Sequence, residues 1–127
     1  KLQWFVNYYG GPENGETNTG WRQLIDTTVV LTPTSTLSAY LNYDYGANRN
    51  AFGSTAYDLS KWQGFAAALH LQPTSKWGFT GRGEWFKDYQ GFSTGTAQTL
   101  NEVTFTAEYK MMQGMLWRAE YRRDWSD

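Results

Sequence analysis

Apolar and polar residues alternate with a period of two along most of this chain, whereas helical spacing fails almost everywhere. Such alternation places successive side chains on opposite faces of a β-strand. The clearest example runs from Glu102 to Met111, where apolar or aromatic residues hold the odd positions. We therefore predict an all-β chain of seven strands in one segment, residues 1–127, without separate domains. The predicted strands are about Leu2–Tyr9, Trp21–Thr32, Leu37–Tyr45, Phe65–Leu71, Lys76–Trp85, Glu102–Met111 and Met115–Asp124.

The connections between these strands alternate strictly between long and short. The long ones are rich in Gly, Asn, Ser and Thr, and each short one is compatible with a tight hairpin turn. Short turns at one end and long loops at the other are typical of an antiparallel, up-and-down transmembrane β-barrel of the outer-membrane type. The long connections are Gly10–Gly20, Gly46–Lys61 and Asp88–Thr99, and the short ones are Pro33–Ser35, Pro73–Ser75 and Gln113–Gly114.

Aromatic residues make up 18% of the chain, and Trp and Tyr fall preferentially near the strand ends. The middles of the same strands carry smaller residues such as Ala67, Gly81 and Ala107. A soluble core needs its largest side chains in the middle, whereas a bilayer favours Trp and Tyr at headgroup level on both sides of an apolar band. We therefore predict that the apolar face contacts outer-membrane lipid. The predicted lipid-interface aromatics are Trp21, Tyr43, Trp62, Trp77, Trp85, Tyr109, Trp117 and Tyr121.

The opposite face carries charged residues of both signs, interleaved along the strands. Charges persist inside a barrel only where water or an opposite charge reaches them, because an unpaired charge in a dry interior costs several kcal/mol. We therefore predict a water-filled lumen with cross-strand ion pairs and no specific anion or cation filter. The predicted lumen-lining residues are Arg82, Glu84, Glu108, Lys110, Arg118, Glu120, Arg122 and Asp124.

Composition excludes several classes of function. Eleven basic and twelve acidic residues give a net charge of −1, so we expect no nucleic-acid partner, which would need a basic field. The chain has no cysteine and one histidine, which removes thiolate zinc sites and multi-histidine metal centres. No apolar run reaches the length that a membrane-spanning helix needs. We predict no cofactor, no bound metal ion and no catalytic residue.

A catalytic hypothesis arises at His70, which shares its predicted face with Ser38 and Asp44. A nucleophile and its base must lie within hydrogen-bond reach and be oriented by a third group. A shared face alone does not establish such contacts. We therefore interpret His70 as a lumen histidine bonded to a neighbour, and the protein as not an enzyme.

A calcium hypothesis arises from the oxygen-bearing side chains of Asn48, Asn50 and Asp58. Calcium takes oxygen ligands, yet these residues lack the regular Asp spacing of a dedicated loop. Solvated external loops are the preferred interpretation.

A short motif repeats at the spacing of one hairpin. Arg82–Asp88 recurs 36 residues later as Arg118–Asp124, with the shared pattern Arg, any, Glu, aromatic, any, basic, Asp. With Lys76-Trp77, Gly91, Gly95 and the strand Glu102–Lys110, the chain resembles the OmpL-like β-barrel porins of Gram-negative outer membranes over roughly residues 35–127. This resemblance implies location in the bacterial outer membrane, contact with lipid, and passive diffusion of small hydrophilic solutes or ions. The chain departs from that family in being shorter and in lacking a terminal strand that ends in an aromatic residue.

An odd number of strands conflicts with barrel closure in a single chain. Seven strands that start on the short-turn side end on the long-loop side, whereas bacterial single-chain barrels have even strand numbers. Unpaired edges in lipid leave backbone groups unsatisfied. We therefore expect a fragment of a larger barrel, closed by further chain segments or by a homo-oligomer.

Two alternatives remain open at this point. A soluble lipocalin-like β-barrel that binds a small apolar ligand would also be aromatic-rich and built of hairpins, but it would turn its apolar face inward. A non-conducting structural barrel of the outer membrane would share every feature above, because pore width depends on the total strand number.

Overall fold

The structure, a computed structural model, describes residues 1–12, 20–49 and 59–127. These residues form seven strands in one antiparallel sheet, in which each strand pairs with its neighbours along the chain. No helix among them is both long enough and apolar enough to cross a membrane. The all-β, up-and-down prediction is confirmed. The strands are β1 (Leu2–Gly11), β2 (Arg22–Leu31), β3 (Leu37–Arg49), β4 (Leu59–Leu71), β5 (Trp77–Asp88), β6 (Gln98–Met112) and β7 (Met115–Ser126).

Short turns join the strands at one end of the sheet, as the sequence predicts. At the start of the β2–β3 turn, the Thr32 amide donates a 2.8 Å hydrogen bond to the Lys1 carbonyl. At the start of the β4–β5 turn, the Gln72 amide donates a 2.7 Å hydrogen bond to the Thr36 carbonyl. Gly114 closes the β6–β7 turn with a φ of 82°, a left-handed conformation that side chains disfavour. The sheet therefore has a short-turn end and a long-loop end.

The strands are longer at the long-loop end than the sequence predicts. β3 continues to Arg49 and β4 begins at Leu59, so both ends of the predicted connection Gly46–Lys61 belong to strands. The ladder continues to the pair Arg49 and Leu59. Glycine at position 46 was interpreted as the start of a loop, but here it is paired opposite Trp62 within the ladder.

The register is staggered from hairpin to hairpin. Leu2, Ala39, Gly81 and Tyr121 share one row across the sheet. Leu2 begins its strand, whereas β3, β5 and β7 begin two, four and six residues before their members of this row. A shift of one residue per strand corresponds to a strand tilt of about 35° at the usual strand spacing. Closed membrane barrels require this stagger and tilt.

The two faces of the sheet differ in chemistry and burial. The charged face carries Glu102, and the apolar face carries Phe105, which is 61% exposed. Within residues 1–12, 20–49 and 59–127, no hydrophobic side chain is buried. The buried polar side chains there are Asn48, Ser60, Asp88, Glu102 and Thr104. This distribution is the reverse of a soluble core and matches a wall between lipid and water.

Candidate functional site

The charged face carries alternating rows of acidic and basic side chains across β5, β6 and β7. Glu84, Glu102 and Asp124 lie directly opposite one another in one row. In the adjacent row Arg82 and Arg122 flank Thr104. Cross-strand neighbours on one face are close enough for their side chains to interact, so each carboxylate lies within reach of a guanidinium one row away.

Glu102 is the centre of this cluster. Its carboxylate accepts a 2.7 Å hydrogen bond from Arg82 Nη2, and it also accepts the Thr104 hydroxyl. Arg122 Nη2 approaches the same Glu102 oxygen at 3.7 Å, while Arg122 also pairs with Asp124 at 2.8 Å. Alternation assigns Glu102 to this face, but the sequence gives no signal that it is the residue most enclosed by the others.

The remaining predicted lumen residues lie nearer the short-turn end. Arg118 Nε donates to Glu108 at 2.8 Å from the directly opposite position on β7. Glu120 accepts a 3.0 Å bond from the Thr106 hydroxyl. Lys110 lies opposite Leu116 and is exposed. The register thus brings all eight predicted side chains to one face, where Arg82, Glu84, Arg122 and Asp124 join the Glu102 cluster and Arg118 forms a separate pair with Glu108.

A second polar cluster lies across β1, β2 and β3. Asp26 accepts hydrogen bonds from the Asn7 amide at 2.7 Å and from the Asn42 amide at 2.6 Å. Asp44 lies directly opposite Asp26. The two carboxylates therefore share a row with amide donors beside them, which extends the hydrophilic wall to the other side of the sheet.

The connection after β5 is folded against the charged face. The Asp88 carboxylate accepts bonds from the backbone amides of Phe92, Ser93 and Thr94 at 3.0, 2.7 and 2.9 Å. The Thr94 hydroxyl adds a bond at 3.2 Å. Asp88 is buried, so one ionised side chain holds the first turn of residues 89–97, which we call the rim loop.

Phe92 connects the rim loop, which follows β5, to side chains on β4 and on β2, three strands away. Its ring stacks on Trp62 of β4 with centroids 5.3 Å apart, and the Arg22 guanidinium of β2 lies 5.1 Å from its centroid. Strands β2 and β5 are about 14 Å apart at the usual spacing, so the rim loop reaches well over the charged face. Such aromatic and cation–π contacts fix its position.

Trp62 corrects one sequence prediction. It was assigned to the lipid interface, but the register pairs it with Gly46 and Asp88, on the charged face. Its indole covers Gly46 so closely that a Cβ there would lie 2.0 Å from the ring. Trp62 therefore supports the rim loop from inside. Because β4 begins at Leu59, Trp62 takes part in the alternation of faces along the strand. The sequence predicts a loop at this position, so that alternation could not be applied to Trp62.

The other predicted interface aromatics lie at two levels, as the register shows. Trp77, Tyr109 and Trp117 share a row near the short-turn end, where the Trp77 and Tyr109 rings are 4.7 Å apart. Trp85 lies opposite Phe65, which in turn lies opposite Tyr43, in a row nearer the long loops.

Two predicted aromatics complete this picture. Tyr121 lies directly opposite Phe105, between the two aromatic rows, so its predicted place at the lipid interface is corrected to the middle of the apolar face. Trp21 precedes β2 and is half exposed. The eight residues from Trp77 to Trp85 span about 22 Å along the barrel axis at the tilt given above, close to the height of an outer-membrane apolar band.

The described residues of the catalytic and calcium hypotheses are not arranged as either hypothesis requires. His70 Nδ1 shares a 2.8 Å hydrogen bond with the Thr80 hydroxyl, and Ser38 lies opposite His70. Asp44 is six residues further along β3, about 20 Å away. Of the calcium candidates, Asn48 is buried in β3, while Asn50 and Asp58 lie outside the described residues. In the part of the chain that is described, no three acidic or imidazole groups are placed to hold a metal ion.

The family model described as "Putative beta-barrel porin-2, OmpL-like" matches residues 1–127. The chain belongs to this family of β-barrel porins. No curated protein and no solved structure gives a significant match to it. The resemblance carried by Arg82–Asp88 and Arg118–Asp124 covers only the later hairpins, whereas the family match extends over β1 and β2 as well.

Family membership confirms the family resemblance predicted from the sequence, and it indicates what each face of the sheet contacts. A β-barrel porin has a lipid-facing surface and a hydrophilic interior, so the porin is in general terms an outer-membrane protein in contact with lipid and solute. The charged face, with the rim loop across it, is the candidate interior.

Proposed function

We propose that this porin allows passive diffusion of small hydrophilic solutes or ions across the bacterial outer membrane. The observation that carries the proposal is the segregation of charge: every carboxylate on the described strands lies on the charged face. Eight such groups are tolerable on one side of a membrane wall only where water reaches them. The charged face then lines an aqueous path.

Pairing of the charges supports weak rather than strict selectivity. Arg82 and Arg122 are both engaged by carboxylates, and so is Arg118. A lumen with neutralised pairs presents hydration partners to solutes of either sign without a ring of one charge, which strong selectivity would need. The proposal gives no group of this wall a role in covalent chemistry, as is general for porin-like families.

The rim loop narrows the path on one side. Its contacts with Asp88, Trp62 and Arg22 hold residues 89–97 over the charged face near the long-loop end. A solute that enters from that end passes this loop before it reaches the Glu102 cluster. The size limit for diffusion is therefore set partly by the loop and partly by the total number of strands.

Closure of the barrel requires partners for β1 and β7, which are the edges of the described sheet. Their free backbone groups cannot face lipid. We propose that further strands of a longer chain close the barrel, with a homo-oligomer as the second possibility. The intact mass of the native polypeptide from its membrane separates them: a mass well above 14.6 kDa supports further strands, and a mass of 14.6 kDa supports a multi-chain barrel.

Ion selectivity of the native polypeptide in planar bilayers tests the function. Reversal of two lumen charges, Arg82→Glu with Arg122→Glu, is expected to shift the reversal potential toward cation preference. The matched control is Arg123→Glu, because Arg123 lies on the apolar face opposite Val103. Absence of any conductance contradicts the proposed diffusion, and equal shifts in both variants contradict a pore lined by the charged face.

A further inference from the structure

Charges on the two faces differ in sign as well as in number. All described strand carboxylates lie on the charged face, whereas the residues of the apolar face on the described strands that are charged at neutral pH are all basic: Arg49, Lys61, Lys87 and Arg123. Each of them stands toward the long-loop end of its strand. A belt of one sign on the lipid side, at one end, is suited to an anionic partner.

Two of these lysines stand just beyond the aromatic row that contains Trp85. Lys87 follows Trp85 by two residues on the same face of β5. Lys61 on β4 follows the same direction past Gln63 and Phe65. Trp and Tyr mark the level of the headgroups, and long lysine side chains beyond them reach the phosphate layer. At this level the lysine ammonium groups contact lipid headgroups rather than acyl chains.

A groove lies at this level. Tyr45, Leu59, Lys61, Tyr89 and Gln90 line an open space of about 450 Å³ on the outward side of the rim. Its wall is fixed by hydrogen bonds from the Lys61 amide to Gln90 Oε1 at 2.7 Å and from the Tyr89 amide to the Lys61 carbonyl at 3.0 Å. The first residues of the rim loop therefore form one side of the groove.

The groove collects hydrogen-bond donors. Gln63 donates to the Tyr89 hydroxyl at 2.6 Å, so this hydroxyl acts as an acceptor and its own proton remains available. Among the described residues, neither the Tyr45 hydroxyl nor the Lys61 ammonium has a hydrogen-bond acceptor. The Lys87 ammonium lies 5.1 Å from the Tyr89 ring centroid and adds positive charge beside the groove.

We propose that this groove binds the phosphate of a membrane-lipid headgroup. Two hydroxyls and one ammonium surround the space, with a second ammonium at its edge, and phosphate oxygens are strong acceptors for such charge-assisted bonds. Leu59 offers an apolar surface for the start of the lipid chains. The inference rests on the membrane placement in the proposed function, but it does not depend on conduction.

Lipid retention by the native polypeptide in detergent tests the site. Native mass spectrometry is used to compare phosphatidic acid with a neutral galactolipid of the same acyl chains, and inorganic phosphate is added as a competitor. We expect retention of phosphatidic acid, which Lys61→Gln weakens about tenfold, the value of one charge-assisted bond. Tyr45→Phe is expected to weaken it without changing charge.

Matched controls are Lys76→Gln, in the β4–β5 turn, and Tyr109→Phe, in the other aromatic row. Equal retention of the two lipids, equal effects of Lys61→Gln and Lys76→Gln, or complete displacement by inorganic phosphate at the same concentration as the lipid would overturn the inference. A porin that retains phosphatidic acid but does not conduct supports the inference and contradicts only the proposed diffusion. A conducting porin without lipid preference gives the reverse result.

Discussion

Glu102 accepts a 2.7 Å hydrogen bond from the guanidinium of Arg82 while only 5% of its surface is exposed. The two residues lie on adjacent strands and one row apart. Arg82 itself remains 40% exposed, so the pair joins an enclosed carboxylate to a water-facing cation. Within this pair the accessible charge therefore lies mainly on the arginine.

Replacement of Glu102 by Gln is expected to destabilise the porin by about 2 kcal/mol, because bonds between charged partners contribute about 1.5–3 kcal/mol. It should also shift ion selectivity toward anions, since Arg82 and Arg122 lose their shared partner. Urea unfolding in lipid vesicles and bilayer reversal potentials measure the two effects. Glu120→Gln is the control, because exposed Glu120 has a single bond from Thr106. Equal stability loss in both variants contradicts a central role for Glu102.

Removal of the Asp88 carboxylate is expected to release the rim loop. Asp88→Ala deletes the acceptor of four hydrogen bonds and leaves the Phe92, Ser93 and Thr94 amides without it. Bilayer conductance should rise, and chymotrypsin should cut between residues 89 and 97. Asp124→Ala removes the same charge from the same face and should leave the loop resistant. A loop that stays resistant in Asp88→Ala would disprove the anchoring role.

Gly46 and Gly83 offer a matched pair of glycines in neighbouring parts of the sheet. A Cβ at Gly46 would lie 2.0 Å from the Trp62 ring, whereas one at Gly83 has its nearest neighbour at 3.9 Å. We expect Gly46→Ala to destabilise by about 1–3 kcal/mol through overpacking and to loosen the Phe92 stack. Gly83→Ala should be nearly neutral. Urea unfolding followed by tryptophan fluorescence measures both, and equal behaviour would show that Trp62 moves freely.

Period-two alternation was sufficient to predict the faces of most strands, because a pleated strand reverses its side chains at every residue. Glu102 and Phe105 therefore lie on the faces that the sequence predicts. The pattern failed at the ends of β3 and β4. Gly46 resembles a loop residue, yet it is paired within the ladder, and the face of Trp62 was mispredicted because the predicted strand began only at Phe65, six residues after β4 begins.

The position of the rim loop could not be predicted from the sequence, for a different reason. The sequence indicates Asp88 as the end of a repeated motif and Phe92 as part of a long polar connection, but nothing local indicates that Phe92 reaches Arg22 on a strand three positions away. Contacts of this kind depend on the register of the whole sheet. The same holds for the groove at Lys61, whose wall comes from β3, β4 and the rim loop.

Phe105 distinguishes a membrane wall from a soluble core. On β6 it lies four residues from Tyr109 and four from Asn101, which is opposite Trp85, so it is midway between the two aromatic rows. We expect Phe105→Arg to weaken folding into lipid vesicles by about 2–4 kcal/mol, the cost of arginine at the midplane. Urea titration in vesicles measures this loss.

Thr106→Arg is the control for this substitution, because Thr106 is on the charged face and its arginine would meet Glu120 and water. A soluble carrier would fold without vesicles and would bury Phe105 in its core. Folding of the wild type in lipid-free buffer, together with unfolding of Phe105→Arg there, would therefore favour the lipocalin-like alternative. Folding that requires vesicles and is weakened by Phe105→Arg but not by Thr106→Arg establishes that this face contacts lipid.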